Sequence, residues 1–336
     1  MYVLAPLLPS PTPHHSTIHC CVRSVQLVAY IVGDLEYVET TTAEDHNGHK
    51  VVCRVYTLPG DRLKGEYAVG VAARTLDLYK NLFHIAYPLP KLDMVGIPDF
   101  ETGAMENWGL VTYRMTSILF DPTSTPLRYK QNVASTVAHE LAHQWFGNLV
   151  TMEWWSDLWL NEGFATWMAT LVMDTFYPEW DEWTSFVEYD LSRALELDAL
   201  RNSHPIEVDV KRPADANQIF DAISYSKGAS LIRMLDAHLG RRVFLTGVSN
   251  YLKTHAYDNA STKVCEAADS QALVSDDSCD GCLLCCAGSV GRAVGCIWHG
   301  CGGLHDAVDQ ASGIPSRRRR GDQPVPPARL AGPLPG

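Results

Sequence analysis

Val133-Ala134-Ser135-Thr136-Val137-Ala138-His139-Glu140-Leu141-Ala142-His143-Gln144-Trp145-Phe146-Gly147 is the run on which the reading of this chain turns. Val133, Val137, Leu141 and Trp145 recur every four residues, the spacing of a buried stripe on an α-helix. Gly147 suits the C-terminal stop of such a helix. His139 and His143 then stand one turn apart, so their imidazoles leave the same face and can grip one metal ion. Glu140, next to the first of them, can reach a water on that ion. The plainer reading is a helix whose two histidines are ordinary core or surface residues, and the pentapeptide alone leaves both readings open.

Working outward, a catalytic zinc site generally takes three protein ligands and keeps one position open. Glu162 stands 19 positions after His143, near the start of a second predicted helix that runs to about Phe176, with Pro178 beyond its end. Two helices joined this way can return Glu162 over the histidine pair. The competing reading is a first-turn carboxylate favoured by the helix dipole. On the N-terminal side, Gly103-Ala104-Met105-Glu106-Asn107 lies between two predicted strands, Lys91 to Ile97 and Gly109 to Arg114. A segment beside a sheet edge can hold an extended peptide by strand addition, and a carboxylate there could pair with an ammonium group. A simple turn would look the same from spacing alone. Tyr225, on the residues alone, is an aromatic side chain packed at the start of a helix.

The rest of the chain sets limits. A length of 336 residues suits one large domain or two ordinary ones. A formal net charge of -12 argues against nucleic acid as a partner, because neutralising phosphates takes clustered Lys and Arg. Only Cys20, Cys21 and Cys53 precede residue 264, so the central body reads as that of a protein from a reducing compartment. Pro6, Pro9, Pro11 and Pro13 interrupt the N-terminal apolar stretch, which carries no basic flank, so no secretory signal is read there. No apolar run reaches the roughly 18 residues of a membrane span. Residues 1–24 read as an unstructured leader. Val25 to Val38 and Lys50 to Tyr56 read as strands joined by a turn at Asn47-Gly48, and Tyr67 to Phe83 as a helix. Residues 263–336 lose all periodicity and are expected to be disordered. In that tail Cys279, Cys282, Cys285 and Cys286 suggest a zinc knuckle and Arg317 to Arg320 a targeting signal, but low-complexity text from a non-native frame or a retained intron is the preferred reading.

Gly103 to Asn107 followed by His139, Glu140, His143 and Glu162, in this order and spacing, resembles the M1 family of zinc aminopeptidases, a gluzincin family. Gly103 to Arg114, His139 to Trp155 and Phe220 to Leu235 look most like its cytosolic branch, and the resemblance covers about residues 28–262. It implies a mixed α/β (α+β) fold, with a thermolysin-like catalytic domain over 58–262 and a remnant of an N-terminal β-domain over 25–57. It implies one Zn2+ held by His139, His143 and Glu162, with Glu140 as general base and Tyr225 as hydrogen-bond donor to the developing oxyanion. Gly103, Ala104, Met105, Glu106 and Asn107 would bind substrate, Glu106 through its terminal α-ammonium. The implied partners are peptides with a free N-terminus, and the implied location is the cytoplasm. Family members are more than twice this length, so the chain is expected to lack the flanking domains that roof the cavity and to be weakly active or inactive. The alternative is a catalytically inactive zinc-binding fragment. Epoxide hydrolysis, performed by one branch, ranks low because Gly103 to Asn107 has the aminopeptidase form of the motif.

Overall fold

In the computed structural model, which describes residues 29–262, the chain first turns at Asn47-Gly48. Both residues have positive φ, 53° and 86°, as a tight hairpin turn demands. The hairpin joins β1 (Glu36–Thr41) to β2 (Val52–Thr57), paired antiparallel. The first strand thus starts at Glu36, well after the predicted Val25, whose neighbours up to residue 28 lie outside the described residues. The predicted leader and the whole tail from residue 263, with its cysteine cluster and Arg317 to Arg320, also lie outside them.

Helix α1 (Glu66–Phe83) carries the predicted stripe: Val69, Ala72, Leu76, Tyr79 and Phe83 are all buried. It crosses over to β3 (Lys91–Ile97), which pairs parallel to β2, as a helical crossover permits. Strand β4 (Ala104–Met105) is only two residues long and pairs antiparallel with β5 (Leu110–Arg114), itself parallel to β3. The order β1-β2-β3-β5-β4 leaves β4 at the rim. The sheet also runs across residue 57, where a domain boundary was expected. Val51, Cys53 and Val55 are fully buried in the same core as Leu92 and Met94, so β1 and β2 are integral to the sheet.

Helix α2 (Leu127–Ala142) lies against α1, where the Tyr79 hydroxyl donates to the Ala138 carbonyl over 2.8 Å. It ends before the predicted Trp145. The amides of Gln144 and Trp145 reach back only three residues, to the carbonyls of Leu141 and Ala142, and Gly147 then takes φ 129°. The tightened turn keeps Trp145 on the core side, edge-on to Tyr79 at 5.6 Å. Beyond β6 (Thr151–Met152), helix α3 (Leu158–Phe176) is buried nearly all round, as its uniformly apolar sequence requires.

The chain continues through α4 (Glu182–Phe186), a π-turn over Val187–Leu191, α5 (Ser192–Asp198), a 3-10 helix over Pro213–Ile219, a second π-turn over Ile223–Lys227, α6 (Gly228–Leu239), α7 (Arg241–Thr254) and β7 (Asn259–Ala260), with short 3-10 turns between earlier elements. Strand β7 pairs parallel to β6. Helices α3 and α6 meet backbone to backbone. A Cβ added at Gly163 would stand 2.8 Å from the Gly228 carbonyl carbon, too close for a side chain, and one added at Gly228 would stand 3.2 Å from the Gly163 Cα, a tight contact. The architecture is mixed α/β, and no described helix is long and apolar enough to cross a membrane.

Candidate metal centre

The last turn of α2 presents His139, and His143, the residue that follows the helix, projects from the same face, their Nε2 atoms 3.0 Å apart. Helix α3 brings Glu162 over them, with Oε2 at 3.3 Å from each Nε2. Zinc bonds of about 2.0–2.2 Å in a tetrahedral arrangement place ligand atoms roughly 3.3 Å apart, so this triangle has the size a zinc ion needs. The chemistry of the donors fits as well. His143 Nδ1 lies 3.0 Å from the Phe146 carbonyl, which can only accept, so Nδ1 carries a proton and Nε2 of the neutral ring is left to coordinate. His143, Glu162 and Glu140 are buried, and His139 stands nearest to solvent.

The electrostatics call for positive charge at this point. Burial works to lower His143, but Glu162, Glu106 and Glu140 outweigh it and raise its pKa to about 10. Burial lowers His139, and the neighbouring His143 adds to the effect against the pull of Glu162. Burial would raise Glu162, yet the two imidazoles hold it down at about 2. A divalent ion would supply that charge while displacing the proton.

Glu140 points into the same space. Burial, helped by Glu106 and Glu162, pushes its carboxyl well above the usual carboxylate range, and its Oε2 has no hydrogen-bond partner. A carboxyl aimed into this space is placed to exchange a proton with a group beside it. Carboxylate oxygens of Glu106 and Glu140 and a ring nitrogen of His143 lie within 4.8 Å of one another. Glu106 follows β4, whose Ala104 and Met105 pair with Tyr113 and Thr112, and the Gly103 carbonyl accepts from the Arg114 amide. Asn107 donates from Nδ2 to the Met105 carbonyl and to Thr112 Oγ1. Among the described strands nothing pairs with the outer edge of β4, so an extended chain could add there.

Tyr225 stacks on His139 with ring centroids 5.9 Å apart and planes 10° from parallel. Burial, then the charges of Glu162, Glu140 and Glu106, raise its hydroxyl well above the ordinary phenol value, so it is a donor at working pH. Its turn is held from three sides. Asp221 Oδ1 accepts from the amides of Ile223 and Ser224, Ser226 Oγ donates to Asp190, and Lys227 Nζ meets Asp198 at 2.6 Å in a buried ion pair.

His139, His143, Glu162, Glu140 and Glu106 thus come together, with Tyr225 stacked on His139. The supports were not singled out. Gln144 and Asn148 are polar residues inside an apolar run, and a buried amide demands partners, so the signal was there to be read. Asp190, Asp198 and Lys227 left no local trace.

Residues 67–273 match the Peptidase family M1 domain. The chain is 56% identical to Aminopeptidase M1-C of Oryza sativa subsp. japonica over 242 residues, 72% of this chain and 27% of that protein. It is 54% identical to the Alanine/arginine aminopeptidase of Saccharomyces cerevisiae over 239 residues, 71% of this chain and again 27% of that protein. Aminopeptidase M1 of Arabidopsis thaliana gives 54% over 242 residues. The chain thus spans about a quarter of the length of the curated relatives it matches.

Proposed function

This chain belongs to peptidase family M1, and from that premise we propose that it carries the catalytic centre of a zinc-dependent aminopeptidase acting on peptides with a free N-terminus. The observation that carries the reading is the placement of the Glu106 carboxylate beside Glu140 and His143, next to the rim strand β4. A carboxylate there can hold a terminal ammonium so that only the first peptide bond reaches the metal. We read the catalytic unit as thermolysin-like and as including β1 and β2, which complete its sheet, ahead of residues 58–262. The cysteine-poor body supports a cytoplasmic location.

His139, His143 and Glu162 would hold the ion. Zinc, when bound, polarises a carbonyl and acidifies water. The protein's own groups do the rest. Met105 and the backbone of Gly103 and Ala104 hold the peptide extended along the rim, Asn107 braces that segment, and Glu106 fixes its register. Glu140 takes a proton at Oε2 from the attacking water and returns it to the leaving amine. Tyr225 donates its hydroxyl hydrogen to the carbonyl oxygen as that oxygen gains charge, a bond stronger in the transition state than in the ground state.

Metal analysis of the purified chain with turnover of an aminoacyl anilide tests this reading. The expected result is one zinc per chain and measurable turnover, with Glu140→Gln keeping the zinc and losing at least about a hundred-fold in kcat. Zinc binding without turnover would leave the inactive-fragment alternative standing. Unchanged turnover in Glu140→Gln would remove Glu140 from the mechanism.

A further inference from the structure

Glu106 is tied to the metal helix by its backbone. A carbonyl can face only donors, and the Glu106 carbonyl faces two: Asn148 Nδ2 at 2.8 Å and Gln144 Nε2 at 3.2 Å. Both amides are almost completely buried, 2% and 1% exposed. Each belongs to a residue already bound to the metal set. Gln144 follows His143 in sequence, and its Oε1 also accepts from the Gly109 amide at 3.3 Å. The Asn148 amide donates to the His143 carbonyl at 3.0 Å. Two short paths therefore join His143 to Glu106 without passing through the sheet. They matter because the only strand ahead of Glu106 on its own segment is the two-residue β4 at the rim.

We propose that Gln144 and Asn148 are positioning residues that fix the Glu106 carboxylate at a set distance from the metal, and so fix where the chain end lies when the first peptide bond is over the ion. The inference rests on Glu106 as the ammonium partner and adds how its register is held. Neither amide touches the reacting atoms. Two buried donors on one carbonyl tie this part of the rim segment to the end of α2. A displacement of about 1 Å is enough to spoil such an alignment.

Calorimetric binding to the zinc-loaded full chain tests this without requiring turnover. The probes are leucine hydroxamate and N-acetyl-leucine hydroxamate, which share the metal-binding group and differ in the ammonium. The unmodified chain should favour the free amine, and Glu106→Ala should erase that preference. Gln144→Met, which keeps the volume and removes the donor, should shrink the preference by about three- to ten-fold, as should Asn148→Ala. The loss should fall on the free amine alone, with zinc content unchanged. In a Glu106→Ala background neither substitution should shrink the preference further, since nothing is left to position. Equal weakening of both probes, or full additivity with Glu106→Ala, would mean the amides only support the fold and would overturn the proposal. If Asn148→Ala does not fold, Gln144→Met alone decides. An unmodified chain indifferent to the amine would instead defeat the reading of Glu106, and this proposal with it.

Discussion

His143 works at both ring nitrogens. Nδ1 is committed to the Phe146 carbonyl, and Nε2 faces Glu162 and His139. Its replacement by alanine would remove one of the proposed ligands and leave the Phe146 carbonyl without the imidazole donor. His143→Ala should therefore lose zinc at concentrations that saturate the unmodified chain, and full occupancy by atomic absorption would refute the ligand assignment. At this scale the sequence was informative because one-turn spacing translates directly into a shared face, so His139, Glu140 and His143 could be read together. Glu162 needed the second helix as well, and Glu106 and Tyr225 needed the family resemblance. Nothing in Tyr225 as a residue distinguishes a donor stacked on His139 from a packed aromatic ring.

The turn over Ile223–Lys227 is an element that the Lys227–Asp198 pair makes possible. Both charges are nearly out of water, at 6% and 10% side-chain exposure, so removing the Lys227 ammonium takes a buried countercharge away from Asp198. Lys227→Met should cost about 3–5 kcal/mol in equilibrium denaturant unfolding, while adding Asp198→Asn should recover a large part of it. A cost under about 1 kcal/mol for the single variant would show that water relieves the pair. Helices α1 and α3 were legible nearly to the residue because α1 shows a clean apolar stripe and α3 is bounded by Pro178. The end of α2 was not, because Trp145 keeps the helical period while its amide has shifted to a three-residue bond. Apolar periodicity records which face is buried, and it cannot tell a helix from the tight turn that continues the same face.

On the scale of the whole molecule, β2 pairs Val52 to Tyr56 with Lys91 to Val95 across the length of α1. That pairing is non-local and leaves no mark in a linear pattern, whereas the boundary read at residue 57 came from the family resemblance. A version of the chain beginning at residue 58 would bare the edge of β3 and the core faces of Leu92 and Met94. It should lose near-UV circular dichroism and aggregate, whereas a cooperative melt at the temperature of the full chain would restore the boundary. The Gly163–Gly228 contact reaches further, into what variation the gene can accept. Gly163 follows Glu162, a proposed metal ligand, and Gly228 lies three residues after Tyr225, the proposed donor, yet neither has a side chain to contribute to chemistry. A library of every substitution should find Gly163 as closed as the proposed ligands themselves, since one methyl there would press on the Gly228 backbone and wedge α3 from α6, and should find Gly228 nearly so, with alanine the one change its tighter neighbours could absorb. At such sites heredity preserves an absence of atoms, and two mutations that each abolish function there cannot rescue one another, because both err in the same direction.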